Sequence, residues 1–91
     1  MATHKSAIKR AKQSEIRRQR NRAVKTKVKN VVEEVRTALE KQSVEEAQVA
    51  LQKAVPVIDR AVSKGALHHR TAARKISRLS KKVHALSVGQ Q

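Results

Sequence analysis

Residues 24–39 read VKTKVKNVVEEVRTAL, and this stretch decides the fold. Its apolar side chains recur every three or four residues, so on a helix they fall within an arc of about 120°. They are Val24, Val28, Val31, Val32, Val35, Ala38 and Leu39. An apolar stripe of this kind needs a partner that covers it. The stretch therefore predicts an amphipathic helix that packs in a helical bundle.

The same helix is predicted to extend well beyond its apolar stripe. No Gly or Pro occurs from Ser6 to Lys41, so one long helix is the simplest interpretation. Upstream of Ala23 the stripe stops, and Lys and Arg dominate the sequence. We expect residues 1–22 to form a basic arm that projects from a bundle comprising residues 23–87.

A second helix is predicted to begin at Ser43, because Ser43 and Glu46 have the spacing of a capping box. Its apolar face consists of Val44, Ala47, Leu51, Ala54, Val55, Ile58, Ala61 and Val62. Gly65 is expected to end the helix in the left-handed conformation. Pro56 falls on the solvent side, where we expect it to kink the helix without breaking it.

A third helix is predicted from about His69 to Ser87. Its apolar face consists of Ala72, Ile76, Leu79, Val83 and Leu86. The opposite side carries Arg70, Arg74, Arg78 and Lys81, with Lys75 and Lys82 at its margin. Residues 88–91 have no pattern and are predicted to fray. The fold expected is a single all-α domain, a three-helix bundle with a long, basic, protruding first helix.

Charge is segregated along the chain. Residues 1–30 hold eleven Lys or Arg and one acid, residues 31–59 hold three against six acids, and residues 60–91 hold eight and no acid. Two cationic ends around a mildly acidic middle predict binding to a polyanion, with nucleic acid the first candidate. Phe, Trp and Tyr are absent, so no side chain can stack single-stranded bases as an aromatic would. We therefore expect contacts to the phosphates of a folded or duplex target.

Other classes of function lack their sequence features. The chain has no Cys, no nucleophile elbow, too few Gly residues for a phosphate loop and no pair of His residues at helical metal-ligand spacing. We expect no catalytic site, no metal, no cofactor and no small-molecule substrate. No run of residues approaches membrane-spanning length, and the start leads into charged residues, so we expect a cytoplasmic protein with no membrane partner.

Two clusters of residues resemble the bacterial small-subunit ribosomal protein S-twenty family. The first comprises Lys5-Ser6-Ala7-Ile8-Lys9-Arg10, Gln13-Ser14-Glu15 and Asn21. The second comprises Ile58-Asp59-Arg60-Ala61, Lys64-Gly65, His68, Ala72-Ala73-Arg74 and Ser77-Arg78-Leu79. The resemblance covers nearly the whole chain. It implies three helices, binding to small-subunit ribosomal RNA during early assembly, and other ribosomal proteins as candidate partners.

The chain departs from the family pattern at two positions. Arg70 stands where the family commonly has Asn, which leaves the N-cap of the third helix unassigned. Ile76 stands where a basic residue is common, so an apolar side chain replaces a phosphate ligand.

These observations predict a structural ribosomal protein, not an enzyme, that holds small-subunit ribosomal RNA through phosphate contacts and stabilises its fold during assembly. Candidate RNA-binding residues in the arm and first helix are Lys5, Ser6, Lys9, Arg10, Lys12, Ser14, Arg17, Arg18, Arg20, Asn21, Arg22, Lys25 and Lys29. In and before the third helix they are His68, Arg70, Arg74, Lys75, Arg78, Lys81 and Lys82. The alternatives are a histone-like DNA-compacting protein and a protein-interaction bundle that uses an acidic face.

Overall fold

The computed structural model describes the backbone of residues 2–89 and the side chains from residue 4 onward. Three helices make up most of this part of the chain. Helix α1 spans Ala2–Glu40, α2 spans Val44–Ser63 and α3 spans His69–Gly89. No strand occurs within residues 2–89. The predicted all-α fold with a long first helix is confirmed.

Helix α1 determines the shape of the molecule. At about 1.5 Å per residue its length is about 58 Å, against a longest molecular dimension of 71 Å. It begins four residues before the predicted start at Ser6, because nothing in the first residues breaks a helix. Its end at Glu40 agrees with the prediction to within one residue.

The core lies where the stripe of α1 meets the apolar faces of α2 and α3. Its buried residues are Val28, Val31, Val32, Val35 and Ala38 from α1, Ala47, Ala54, Ile58 and Ala61 from α2, and Ala72, Leu79 and Val83 from α3. Val35 and Ile58 are the largest fully enclosed side chains. Ala50 and Val57 also pack against the core, although they lie outside the predicted face of α2. Helix α2 packs against both α1 and α3, so the face of α2 that these helices cover is wider than a single apolar stripe.

The turn between α1 and α2 is closed by backbone hydrogen bonds. The Ser43 N–H donates to the Ala38 carbonyl at 3.2 Å, and the Gln42 N–H donates to the Leu39 carbonyl at 3.0 Å. Gln42 has a φ of 57°, so a residue other than Gly occupies the left-handed position. Ser43 caps α2, as predicted, by accepting from the Glu46 N–H at 3.3 Å. The reciprocal bond of a capping box is replaced, because Ala38 already accepts the Ser43 N–H.

Gly65 ends α2 in the predicted left-handed conformation, with a φ of +75°. Its N–H donates to the Val62 carbonyl at 3.0 Å, and the Ala66 N–H donates to the Ala61 carbonyl at 3.0 Å. Ala66, the residue after Gly65, is buried, as is common for an apolar residue at this position of such a helix end. Pro56 is exposed, as predicted, and α2 continues through it to Ser63. The kink at Pro56 stays a prediction.

His68 is the N-cap of α3. Its carbonyl accepts the first intrahelical bond from the Ala72 N–H at 3.0 Å, and its Nδ1 accepts from the Arg70 N–H at 3.2 Å. The cap left unassigned by the sequence is thus supplied two residues before Arg70. At the other end, α3 runs two residues beyond the predicted Ser87 and includes Val88 and Gly89. The rest of the predicted frayed tail, residues 90 and 91, lies outside the described residues.

Candidate nucleic-acid interface

From residue 4 to residue 20, the side chains of the arm are exposed to solvent on all sides of the helix. Every residue from 4 to 20 is exposed, Asn21 is half-buried, and the first buried side chain of α1 is Val28. The exposure includes Ile8 and Ile16, the large apolar side chains of this segment. Helix α1 therefore has two parts, a segment without tertiary packing and a segment that forms the core.

The candidate residues of α1 are accessible to a ligand. Lys5, Ser6, Lys9, Arg10, Lys12, Ser14, Arg17, Arg18, Arg20, Arg22, Lys25 and Lys29 are exposed, and Asn21 is half-buried. A shallow depression along the helix is lined by Ser14, Arg17, Arg18, Asn21, Arg22, Lys25, Thr26 and Lys29. The structure therefore brings the predicted residues from Ser14 to Lys29, apart from Arg20, into one continuous surface.

Few of these cations are neutralised within the protein. Among residues 4–29, the single ion pair joins Arg18 to Glu15, with 3.6 Å between Nη1 and Oε2. Both side chains are more than half exposed, and such a pair contributes less than about 1 kcal/mol. The positive charge of the arm is thus available to an external anion.

Helix α3 separates its apolar and charged residues as predicted. Ala72, Leu79 and Val83 are buried, and Ile76, the departure from the family pattern, packs half-buried against the core. The exposed candidates here are His68, Arg70, Arg74, Arg78, Lys81 and Lys82. Lys75 differs from all of them, because it is half-buried. The imidazole of His68 is partly engaged, since it caps α3 and stacks on His69 at 4.3 Å between ring centroids.

Two clefts join candidate residues of α1 to basic residues that are distant in sequence. The α1–α3 groove is lined by Lys25, Val28, Lys29, Val32, Glu33, Arg36, Leu67 and Lys75. The α1–loop notch is lined by Arg17, Arg20, Asn21, Ala23, Val24, Lys27, Lys64 and Gly65. Lys27, Arg36 and Lys64 belong to these surfaces but were not among the candidates from sequence. The basic N-terminal block indicates Lys27, whereas only the tertiary fold reveals the positions of Arg36 and Lys64.

Most of the acidic residues lie in the middle of the chain, where α1 meets α2, although Glu33 also lines the α1–α3 groove and Asp59 lies beside α3. Glu34 pairs with Lys53 of α2 at 3.5 Å, and Glu33 pairs with Arg36 at 3.3 Å. Glu45 and Glu46 occupy the first turn of α2, where the helix dipole favours carboxylates. This distribution leaves the arm and the outer side of α3 as the cationic surfaces of the molecule.

Across the described part of the chain, no three His, Cys, Asp or Glu side chains cluster so as to hold a metal ion. None of the helices within residues 2–89 combines the length and the apolar character that crossing a membrane requires.

A small helical bundle with a protruding cationic helix is typical of proteins that bind nucleic acid. The family described as Ribosomal protein S20 matches residues 2–84 of the chain. Small ribosomal subunit protein bS20 of Desulfatibacillum aliphaticivorans is 54% identical over 87 residues, covering 96% of this chain and 99% of that protein. The bS20 protein of Nitratidesulfovibrio vulgaris (strain DP4) is 56% identical over 87 residues, covering 96% and 100%. The chain therefore belongs to the ribosomal protein S20 family.

Membership of this family confirms the resemblance inferred from the residues. The chain is a structural component of the small ribosomal subunit and not an enzyme. As such it associates with small-subunit ribosomal RNA and with other ribosomal proteins, in the ribosome of the bacterial cytoplasm.

Proposed function

We propose that the chain binds small-subunit ribosomal RNA chiefly through the phosphates, and that this binding stabilises the folded RNA during assembly. The observation that carries the proposal is the exposure of every side chain from residue 4 to residue 20 in a segment dominated by Lys and Arg. A helix of this composition cannot bury a face against its own bundle. Its cations are available for an external polyanion.

The electrostatics of α1 in the free protein supports the same conclusion. Like charges stand four residues apart in Lys5 and Lys9, and again in Arg18 and Arg22. Each such pair destabilises a helix by about 0.2–0.5 kcal/mol. Cations also lie near the N-terminus of α1, where the helix dipole is positive. Phosphates beside these residues would convert the repulsion into attraction.

Two separate surfaces would share the RNA. Residues 4–20 extend about 25 Å at 1.5 Å per residue, whereas Arg74, Arg78 and Lys81 face solvent on the bundle itself. Arg can hold a phosphate with two parallel hydrogen bonds, and Lys acts as a point charge. Ser6, Ser14 and Asn21 can add hydrogen bonds to the RNA backbone. A protein with two such surfaces can hold together RNA segments that are separate in the RNA sequence.

The experiment is a titration of the full chain with small-subunit ribosomal RNA over a range of salt concentrations, with duplex DNA as competitor. For Z phosphate contacts the log-log slope should be about −0.7Z to −0.9Z. We expect a steep slope and preferential retention of the RNA at physiological salt. A nearly flat salt dependence would contradict binding through phosphates, and equal competition by DNA would contradict recognition of the folded RNA.

A further inference from the structure

Lys75 differs from every other cation of the chain. All Lys and Arg residues lie between residues 5 and 82, hence within the described part, and Lys75 alone among them is half-buried. It projects from α3 into the α1–α3 groove, beside Leu67 and Val32. Its aliphatic stem can pack on these apolar side chains while the ammonium stays near the groove surface.

This half-buried lysine has no carboxylate partner. None of the ion pairs among residues 4–89 involves Lys75. Glu33 lines the same groove, but its carboxylate is paired with Arg36 at 3.3 Å. The remaining charged residues there are Lys25 and Lys29 of α1. The groove thus holds three cations from two helices beyond its internal pair. The half-burial of Lys75 weakens the screening of its repulsion by the exposed Lys25 and Lys29.

We propose that the α1–α3 groove is the seat of one strand of the RNA phosphodiester backbone, with Lys75 as its central phosphate ligand. This inference rests on the proposed function and assigns a defined place to it. Charge complementarity determines the occupant, because a chain of phosphates would neutralise Lys25, Lys29 and Lys75 together. A groove between two helices also admits a backbone strand in fewer orientations than a single exposed helix face does.

The distinguishing experiment compares Lys75→Gln with Lys41→Gln in the full chain, using the small-subunit ribosomal RNA as the probe. Lys41 is an exposed cation at the α1–α2 turn, so the two variants lose the same charge at different places. Losing one phosphate contact should weaken RNA binding about four- to sixfold at 0.15 M salt. It should also reduce the magnitude of the log-log slope of affinity against salt by about 0.7–0.9. We expect this for Lys75→Gln and little change for Lys41→Gln.

Thermal melting of the free protein separates a ligand-binding lysine from a structural one. Lys75 has no carboxylate partner and lies among like charges, and Gln keeps part of its aliphatic stem, so Lys75→Gln should melt close to the temperature of the parent. A large drop in melting temperature together with weaker binding would assign Lys75 to the bundle and overturn the proposal.

A gain of affinity provides an independent test. Glu33→Gln removes the negative charge of the groove, whereas Glu34→Gln removes one that pairs with Lys53 on the α2 side. We expect Glu33→Gln to bind RNA more tightly than Glu34→Gln, by up to about fivefold, the effect of one cation. Equal or weaker binding by Glu33→Gln would overturn the proposal.

The salt dependence of the parent chain and the binding of Lys75→Gln distinguish a wrong function from a wrong groove. If the parent chain shows no steep salt dependence, the proposed function itself is wrong. If the parent does, but Lys75→Gln binds as Lys41→Gln does, only the groove assignment is wrong. Normal RNA binding by Lys75→Gln with poor incorporation into a subunit containing other proteins would overturn the assignment in favour of an acidic protein segment.

Discussion

Replacing Arg74, Arg78 and Lys81 together by Gln should weaken RNA binding without unfolding the bundle. All three side chains are exposed, and none of them takes part in an ion pair within residues 4–89. Gln has nearly the same helix propensity as Arg and Lys. Surface substitutions of this kind change the free energy of unfolding by about 0.5 kcal/mol or less.

The effect on binding follows from counterion release. Each lost phosphate contact reduces the log-log salt slope by about 0.7–0.9, so three contacts reduce it by about 2.1–2.7. Extrapolated from 1 M to 0.15 M salt, one contact is worth about a four- to sixfold change in affinity. If the three sites are independent, the triple variant should therefore bind about 50- to 170-fold more weakly at 0.15 M salt.

The assay is equilibrium binding to small-subunit ribosomal RNA at several salt concentrations, with circular dichroism melting of the same samples. A matched control replaces Lys41, Lys53 and Arg60 by Gln, which removes the same charge from the α1–α2 turn and α2. An equal loss of affinity in the control would show that net charge and not the face of α3 matters. A large drop in melting temperature of the α3 variant would show that these side chains are structural.

Three further predictions test the fold and the arm. Gly65→Ala should lower the free energy of unfolding by about 0.5–1.5 kcal/mol in a denaturant titration. The added Cβ meets nothing within 4 Å, but a φ of +75° strains any L side chain. Unchanged stability would mean that the turn relaxes. Ile58→Ala should cost about 2–5 kcal/mol, because Ile58 is fully buried; a loss below about 1 kcal/mol would mean that the core refills the space. In the free protein, amides of residues 7–22 should exchange rapidly while those of residues 28–39 are protected, because only the latter segment is packed; strong protection throughout residues 7–22 would contradict this.

The sequence predicts those parts of the fold that repeat or that need a special residue. The stripe of α1 could be found because its Val residues recur at helical spacing. In the structure Val28, Val31, Val32 and Val35 are buried, and Val24 packs half-buried against the core. The start of α2 at Ser43 and its end at Gly65 could be found because each depends on one residue type, a hydroxyl cap at the start and a left-handed glycine at the end. The N-cap of α3 could not be found in this way, because His is not among the usual capping residues. Arg70 occupies the position where the family commonly has Asn.

Tertiary geometry accounts for what the sequence could not supply. The predicted face of α2 omitted Ala50 and Val57, because a single stripe does not show that a helix lies between two others. Similarly, Lys75 was predicted at the margin of the charged side of α3, but its half-burial depends on how closely α1 approaches. The assignment of RNA contacts to particular residues stays a prediction, because exposure shows which cations are available and not which of them a ligand contacts.

Helix α2 contributes to RNA binding through geometry, although it carries few cations itself. Helices α1 and α3 contact each other much less than either contacts α2, so α2 sets the distance and angle between the two cationic surfaces. A rigid connection makes the second contact intramolecular, which raises affinity only while both surfaces can engage the RNA together. A substitution that loosens the buried face of α2, such as Ile58→Ala, should therefore weaken RNA binding even though it removes no charge.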